Sequence, residues 1–186
     1  VAIVDPNGHV DFTGELSAVS SRADVVAQNV ATLGQWIHQY RVSLVAVSNG
    51  NTRRYLIHTV AELMKQSSST ELRWTLVDRT GADAYCDTRQ ALQELPKIAK
   101  RFRAAVWLGW RLEDPLIELT KVDPARLRLG SYQRELPQEI LETALLQAVS
   151  ASVAARGIDV WNCHEKALVC FPGVTLTLAK AITALR

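Results

Sequence analysis

The stretch Leu44-Val45-Ala46-Val47-Ser48-Asn49-Gly50-Asn51-Thr52-Arg53-Arg54 limits what this chain can fold into more than any other. Four apolar residues end in a turn signal, and polar and basic residues then open a helical pattern. A short apolar run bounded by turn residues, with long helical patterns on both sides, reads as a buried strand of an α/β sheet. Ligands of such sheets bind beyond the carboxyl ends of the strands, where amides at a helix N-terminus point outward. A phosphate or polyanion site is therefore sought first at Asn49, Gly50, Asn51, Arg53 and Arg54. The plainer alternative is a sharp strand-to-helix turn, since Asn and Gly tolerate positive φ.

The flanking segments support the α/β reading. Val1-Ala2-Ile3-Val4, a turn at Asp5-Pro6-Asn7-Gly8 and His9-Val10-Asp11-Phe12 predict a β-hairpin. Ser21, with Asp24 three residues on, predicts a capped helix carrying Val26, Val30, Leu33, Ile37 and Tyr40 on one face. A helix is expected from about Thr52 to Lys65, then a short loop at Ser67-Ser68-Ser69 and an internal strand over Trp74–Val77. After Gly81 the pattern is helical. Pro96 suits the first turn of a helix that places Ile98, Phe102, Ala105, Gly109 and Leu112 on one face. Asp114-Pro115 and Asp123-Pro124 interrupt it, and Arg126, Arg128 and Arg134 surround an irregular Leu129–Gln133. Pro137 opens a long helix with Leu141, Leu145, Ala148 and Ser152 on one face. The end reads helix, tight hairpin at Phe171-Pro172-Gly173-Val174, helix.

Composition narrows the function. With 186 residues, 48% of them hydrophobic, the chain can bury one good core and a small appendage. A net charge of +2 permits nucleic-acid binding without arguing for it. Cys86, Cys163 and Cys170 lack paired C-x-x-C spacing, which predicts free thiols in a reducing cytoplasm and no zinc site. No apolar stretch is long enough to span a membrane. The chain starts inside an apolar run, so a piece of something longer is expected.

Several runs carry a family likeness. Arg111-Leu112-Glu113-Asp114-Pro115-Leu116, Leu119-Thr120-Lys121-Val122-Asp123-Pro124 and Gly130-Ser131-Tyr132-Gln133 resemble the corresponding run of bacterial transcription accessory proteins of the Tex family, which are related to a eukaryotic elongation factor. So do Asn49-Gly50, Gly81-Ala82 to Tyr85, and Gly157-Ile158-Asp159-Val160. Each is weak alone; the ordered series is more specific. The resemblance implies a YqgF-type, ribonuclease H-like mixed sheet with flanking helices over 1–136, its first strand absent. It implies a long helix plus a helix-hairpin-helix over 137–186. It also implies a role in transcription, with nucleic acid (DNA or RNA, without sequence specificity) and the transcription machinery as partners.

Ribonuclease H-like nucleases hold two divalent metals with a carboxylate cluster. Asp5 is tempting as the first-strand acid, but too few residues would remain for two more strands before the Ser21 helix, so a turn role fits better. Where the family places acids, this chain has Tyr55, Arg79, and Ser150 or Ala151. Only Asp78 remains, and it has Arg79 beside it. Such replacements remove the charge that holds Mg²⁺, so no catalytic residue, metal or cofactor is expected. His9, His38, His58 and His164 stand on separate elements, and Ser48 lacks a nucleophile context. Acids at Glu113-Asp114 oppose the dipole of a helix end and call for a structural partner such as an arginine.

For binding, the candidates beyond the opening loop are Lys97, Lys100 and Arg101, the turn residues Pro172 and Gly173, and Lys180. Hairpin amides contact phosphates without reading bases. Trp107 and Trp110, just after the basic cluster, stack bases or pack in the core. Three functions follow: a non-catalytic nucleic-acid-binding scaffold, a metal-dependent nuclease, or a purely structural interaction domain.

Overall fold

A computed structural model describes residues 1–17, 20–67, 71–127 and 130–186. Ser68 and Ser69 of the expected loop, and Arg128 and Leu129, lie outside the described residues. The chain forms two compact units. Residues 1–79 and 97–112 make the first; residues 80–96 and 113–186 make the second.

In the first unit, β1 (Ala2–Val4) pairs antiparallel with β2 (Val10–Thr13). The Asp5 carboxylate closes their turn, accepting from the amides of Asn7 at 2.9 Å and His9 at 2.6 Å. Asp5 is thus a turn residue, as expected. Phe12 anchors the hairpin on α1 (Ala23–Tyr40) by ring contacts to Trp36 and Tyr40, with centroids 5.0 and 5.4 Å away. The expected capping box is not formed. Arg22 occupies the cap position without a side-chain bond to the helix, so the Ser21 hydroxyl stands one residue too early. Asp24 instead pairs with the Arg22 guanidinium at 2.6 Å.

Val26 and Val30 of α1 pack with Leu63 of α2 (Arg53–Gln66) and with Leu72, while Leu33, Ile37 and Val45 close around them. Strand β3 (Leu44–Ser48) runs parallel to β4 (Arg73–Val77), in register from Leu44↔Arg73 to Ser48↔Val77. The strands depart from expectation in two ways. They make two separate two-stranded sheets instead of one mixed sheet, because no described strand hydrogen-bonds to both pairs. And β3 and β4 are only part-buried: Val47 and Val77 are covered, whereas Leu44 and Leu76 are about half exposed. The strands are present, but their position in the middle of a sheet is not.

Short helices α3 (Ala82–Cys86) and α4 (Arg89–Glu94) belong to the second unit, and the Thr88 hydroxyl caps α4 through the Ala91 amide at 3.0 Å. Pro96 lies in a turn, not in a helix; α5 starts later and spans Lys100–Glu113. Its buried residues are Arg103, Val106, Trp107 and Leu108, and Leu112 is exposed, so the expected face is rotated. Arg103 is tolerated inside because its Nε donates to the Ile98 carbonyl at 2.9 Å.

The rest of the second unit is helical. Asp114 caps α6 (Pro115–Leu119) through the Ile117 amide at 3.2 Å and pairs with Arg156 at 3.1 Å, the arginine partner that its position called for. After α7 (Pro124–Leu127) and a 3-10 turn (Ser131–Glu135) comes α8 (Gln138–Arg156). Its covered seam is Leu141, Leu145, Val149 and Val153. The expected Ala148 and Ser152 are exposed, because the contact follows the rows of residues four apart on the helix surface. A tight turn joins α9 (Glu165–Cys170) to α10 (Leu176–Ala184), and Cys163, Ala167, Leu168 and Ala179 form their core. Cys86, Cys163 and Cys170 form no disulfide. Among the described residues no helix is long and apolar enough to cross a membrane.

Candidate nucleic-acid interface

The opening loop is built on Asn49. Its amide N–H donates to the Val77 carbonyl at 3.0 Å, tying the end of β3 to the end of β4. Its side chain then closes a second tie, donating from Nδ2 to Asp78 Oδ1 and accepting the Arg79 amide at Oδ1, both at 2.8 Å. An asparagine supplies donor and acceptor at once, which no carboxylate does at neutral pH. Asn49 is therefore a clamp between the two strand ends. Asp78, the one surviving acid at the strand ends, has an oxygen engaged by that clamp.

Gly50 departs from the sharp-turn reading. It does not adopt positive φ, and a methyl group there would sit in ordinary contact, 3.7 Å from Arg79 Cδ and 3.8 Å from Ser48 Oγ. The turn comes from helical-type bonding: the Arg53 amide donates to the Gly50 carbonyl at 3.0 Å and the Leu56 amide to Thr52 at 3.2 Å. α2 then begins unusually. Thr52 makes no side-chain cap, the first turn holds no acid, and the first two residues are Arg53 and Arg54, both exposed. Two cations at the positive end of a helix dipole are unfavourable unless an anion joins them.

The remaining cations differ in their freedom. Lys97 is exposed in the turn before α5. Lys100 and Arg101 start α5, again without an acid in the first turn. Arg101 is already paired with Glu15 at 2.9 Å and lies 4.9 Å over the Phe102 ring. Trp107 and Trp110 serve packing and not base stacking. Trp107 is wholly buried beneath the Arg111 guanidinium, and Trp110 donates from Nε1 to the Gly8 carbonyl at 2.8 Å. In the second unit, Pro172 and Gly173 form the exposed α9–α10 turn, where Gly173 has φ +84° and the Val174 amide bonds Phe171 at 3.1 Å. Lys180 is exposed on α10. Eight of the candidate residues thus belong to the first unit, and Pro172, Gly173 and Lys180 to the second.

The expected acid positions hold Tyr55, which is exposed, Arg79, a part-buried Ser150 and an exposed Ala151. Among the described residues no three His, Cys, Asp or Glu side chains are grouped to hold a metal ion.

A cluster that the sequence reading did not find lies inside the second unit. Lys121, 5% exposed, holds Glu118 at 2.7 Å and Glu94 at 3.1 Å. Glu94 also accepts from the Tyr85 hydroxyl at 2.6 Å, and burial with that bond raises the phenol far above its usual range. Burial pushes the Glu118 carboxyl up to about 7, against the pull of Lys121. The second Glu118 oxygen is closed off from solvent without a partner. Nearby, His164 caps α9: Nδ1 accepts the Ala167 amide at 3.3 Å, while Nε2 faces the Ile117 carbonyl at 2.9 Å and the Thr120 hydroxyl at 3.2 Å. These partners select the neutral ring protonated at Nε2, and burial lowers its pKa to about 4. Glu118 and Lys121 stand at helix-neighbour spacing, a signal in the sequence, but Glu94 is too distant in the chain for any spacing rule to bring it in.

These features describe a class: a small α/β domain with a polar, cation-bearing rim at its strand ends, continued by helices. The chain belongs to the Tex family, for the model of the Tex protein YqgF-like domain, a ribonuclease H-like domain, matches residues 1–113. It is 32% identical to Protein tex of Bordetella pertussis across 100% of the chain and 23% of that protein. Identity is also 32% to Protein YhgF of Escherichia coli, across 100% of the chain and 24% of that protein. The transcriptional accessory protein Tex of Neisseria gonorrhoeae is 34% identical over 84% of the chain and 21% of that protein. The chain thus spans about a quarter or less of the length of these relatives.

Proposed function

We propose that this chain is a non-catalytic nucleic-acid-binding and scaffold part of a cytoplasmic Tex-like transcription accessory protein. The carrying observation is the start of α2, where Arg53 and Arg54 stand exposed at the positive end of the helix dipole, with no side-chain cap and no acid in the first turn. Two exposed guanidiniums at the positive end of a helix suit a phosphate, and phosphate contacts of this kind position a backbone without reading sequence. Lys97, Lys100 and Arg101 add positive charge in the same unit. In the second unit, the Pro172-Gly173 turn with Lys180 acts as a helix-hairpin-helix that offers backbone amides to a second phosphate. Tyr55 and Arg79 at the acid positions, with Asp78 engaged by Asn49, support binding without cleavage.

Titration of single- and double-stranded DNA and RNA at two salt concentrations tests this reading. Binding that weakens with salt, weakens further in R53Q/R54Q, and leaves the strands intact with Mg²⁺ or Mn²⁺ is expected. Absence of salt-dependent binding favours a purely structural domain. Metal-dependent cleavage lost on substituting Asp78 or Asp5 restores the nuclease.

A further inference from the structure

The second unit contains an open cleft of about 890 Å³ between α7, the 3-10 turn and the start of α8. Arg126 and Arg134 line it, with Ser131, Gln133 and Gln138. None of the described residues gives either guanidinium a hydrogen bond or an ion-pair partner. The one acid in the lining, Asp123, has an oxygen engaged by the Ala125 amide at 3.0 Å, at the start of α7. Gln138 is turned along its own helix, donating to Glu142 at 2.6 Å. The Gln133 side-chain oxygen is closed off from solvent and has no partner. No described hydrogen bond fixes that amide, so a half-turn exchanges its acceptor and donor ends.

We propose that this cleft binds the phosphate group of a nucleotide or a nucleic acid, with Arg126 and Arg134 as its charged contacts. Two guanidiniums without carboxylates make a planar, multidentate donor set, and phosphate oxygens are the acceptors that such forks match best. The Ser131 hydroxyl and the Gln133 amide add neutral donors, and the Gln133 amide gains the partner it lacks. A volume of this size accepts a whole nucleotide and not only an ion. The positive balance of the lining argues against a cationic ligand, and the two guanidiniums that an apolar ligand would leave desolvated argue against an apolar one. The cleft shares no residue with the proposed contacts at α2, at α5 or at the α9–α10 turn. Its occupancy is therefore a separate claim from theirs.

The test follows backbone amide resonances of Gly130 to Glu135 in this chain during titration with inorganic phosphate, adenosine monophosphate and a short single-stranded RNA. Shifts in that segment are expected in the wild type and in R53Q/R54Q. In R126Q/R134Q the affinity should fall by roughly tenfold or more, with an unchanged urea midpoint. S131D, which sets a negative charge in the cleft and leaves both arginines in place, should weaken binding as well. Equal affinity for phosphate and nucleotide assigns the site to free phosphate; tighter binding of RNA assigns it to a phosphodiester. Shifts from none of the three probes overturn the proposal, and so do shifts that persist in both R126Q/R134Q and S131D. Loss of RNA binding in R53Q/R54Q with phosphate shifts retained here separates the two sites.

Discussion

Replacing Glu118 by glutamine should change how stability depends on pH, by an amount set by the buried cluster. Burial outweighs the Lys121 ammonium at 2.7 Å and raises the Glu118 carboxyl from 4.5 to about 7, with Glu94 and Asp114 adding smaller repulsions. The folded state therefore binds this proton more tightly than the unfolded chain does. Stability from Glu118 is fully present below pH 4.5 and is lost as pH rises through about 7. At about 1.4 kcal/mol per tenfold change in proton affinity, the loss is on the order of 3 kcal/mol. His164 works in the opposite direction. Its pKa falls from 6.5 to about 4, so its contribution is present above pH 6.5 and is lost as pH falls toward 4. The two slopes overlap and partly cancel in the wild type. In E118Q the His164 slope stands alone, and stability should fall steadily on acidification. Urea unfolding of both proteins between about pH 5 and pH 8 measures this. The difference in stability, E118Q minus wild type, should increase with pH by about 3 kcal/mol. A difference that stays constant, or that decreases, refutes the burial argument.

Other perturbations follow from the same geometry. Lys121→Met leaves Glu94 and Glu118 without their shared cation and should cost about 3–5 kcal/mol, read from the urea midpoint; combining it with E118Q should restore part of the loss. Arg41, at the C-terminus of α1, has φ +53°, so Arg41→Gly should stabilise the chain by about 1 kcal/mol in the same assay. Asn49→Ala removes both side-chain bonds between the strand ends. It should cost about 1 kcal/mol and speed hydrogen exchange at the Arg79 amide.

What the sequence made legible depended on how local the signal was. The β3 turn, the helix after it, the breaks at Asp114-Pro115 and Asp123-Pro124, and the long α8 all follow from residues a few positions apart, and they stand where expected. The Ser21 cap failed by one residue, because several polar residues in a row compete for the cap position and local chemistry does not choose among them. The face of α5 was misplaced because Arg103 is buried, and a buried arginine breaks the apolar pattern on which the reading depends. The single mixed sheet failed because strand pairing is a long-range property that a run such as Val45 to Val47 does not encode. At the rim, the types of Arg53, Arg54 and Arg79 were readable. That Asn49 clamps Asp78 was not, because 29 residues separate them.

The central claim is that the start of α2 holds a nucleic-acid backbone and does not cut it. The most direct measurement is the slope of log affinity against log salt for a single-stranded RNA, in the wild type and in R53Q/R54Q. Loss of two phosphate contacts should make the slope shallower by about 1.4, while the RNA stays intact with Mg²⁺ present. An identical slope in the two proteins, or strand cleavage that requires the metal, would contradict it.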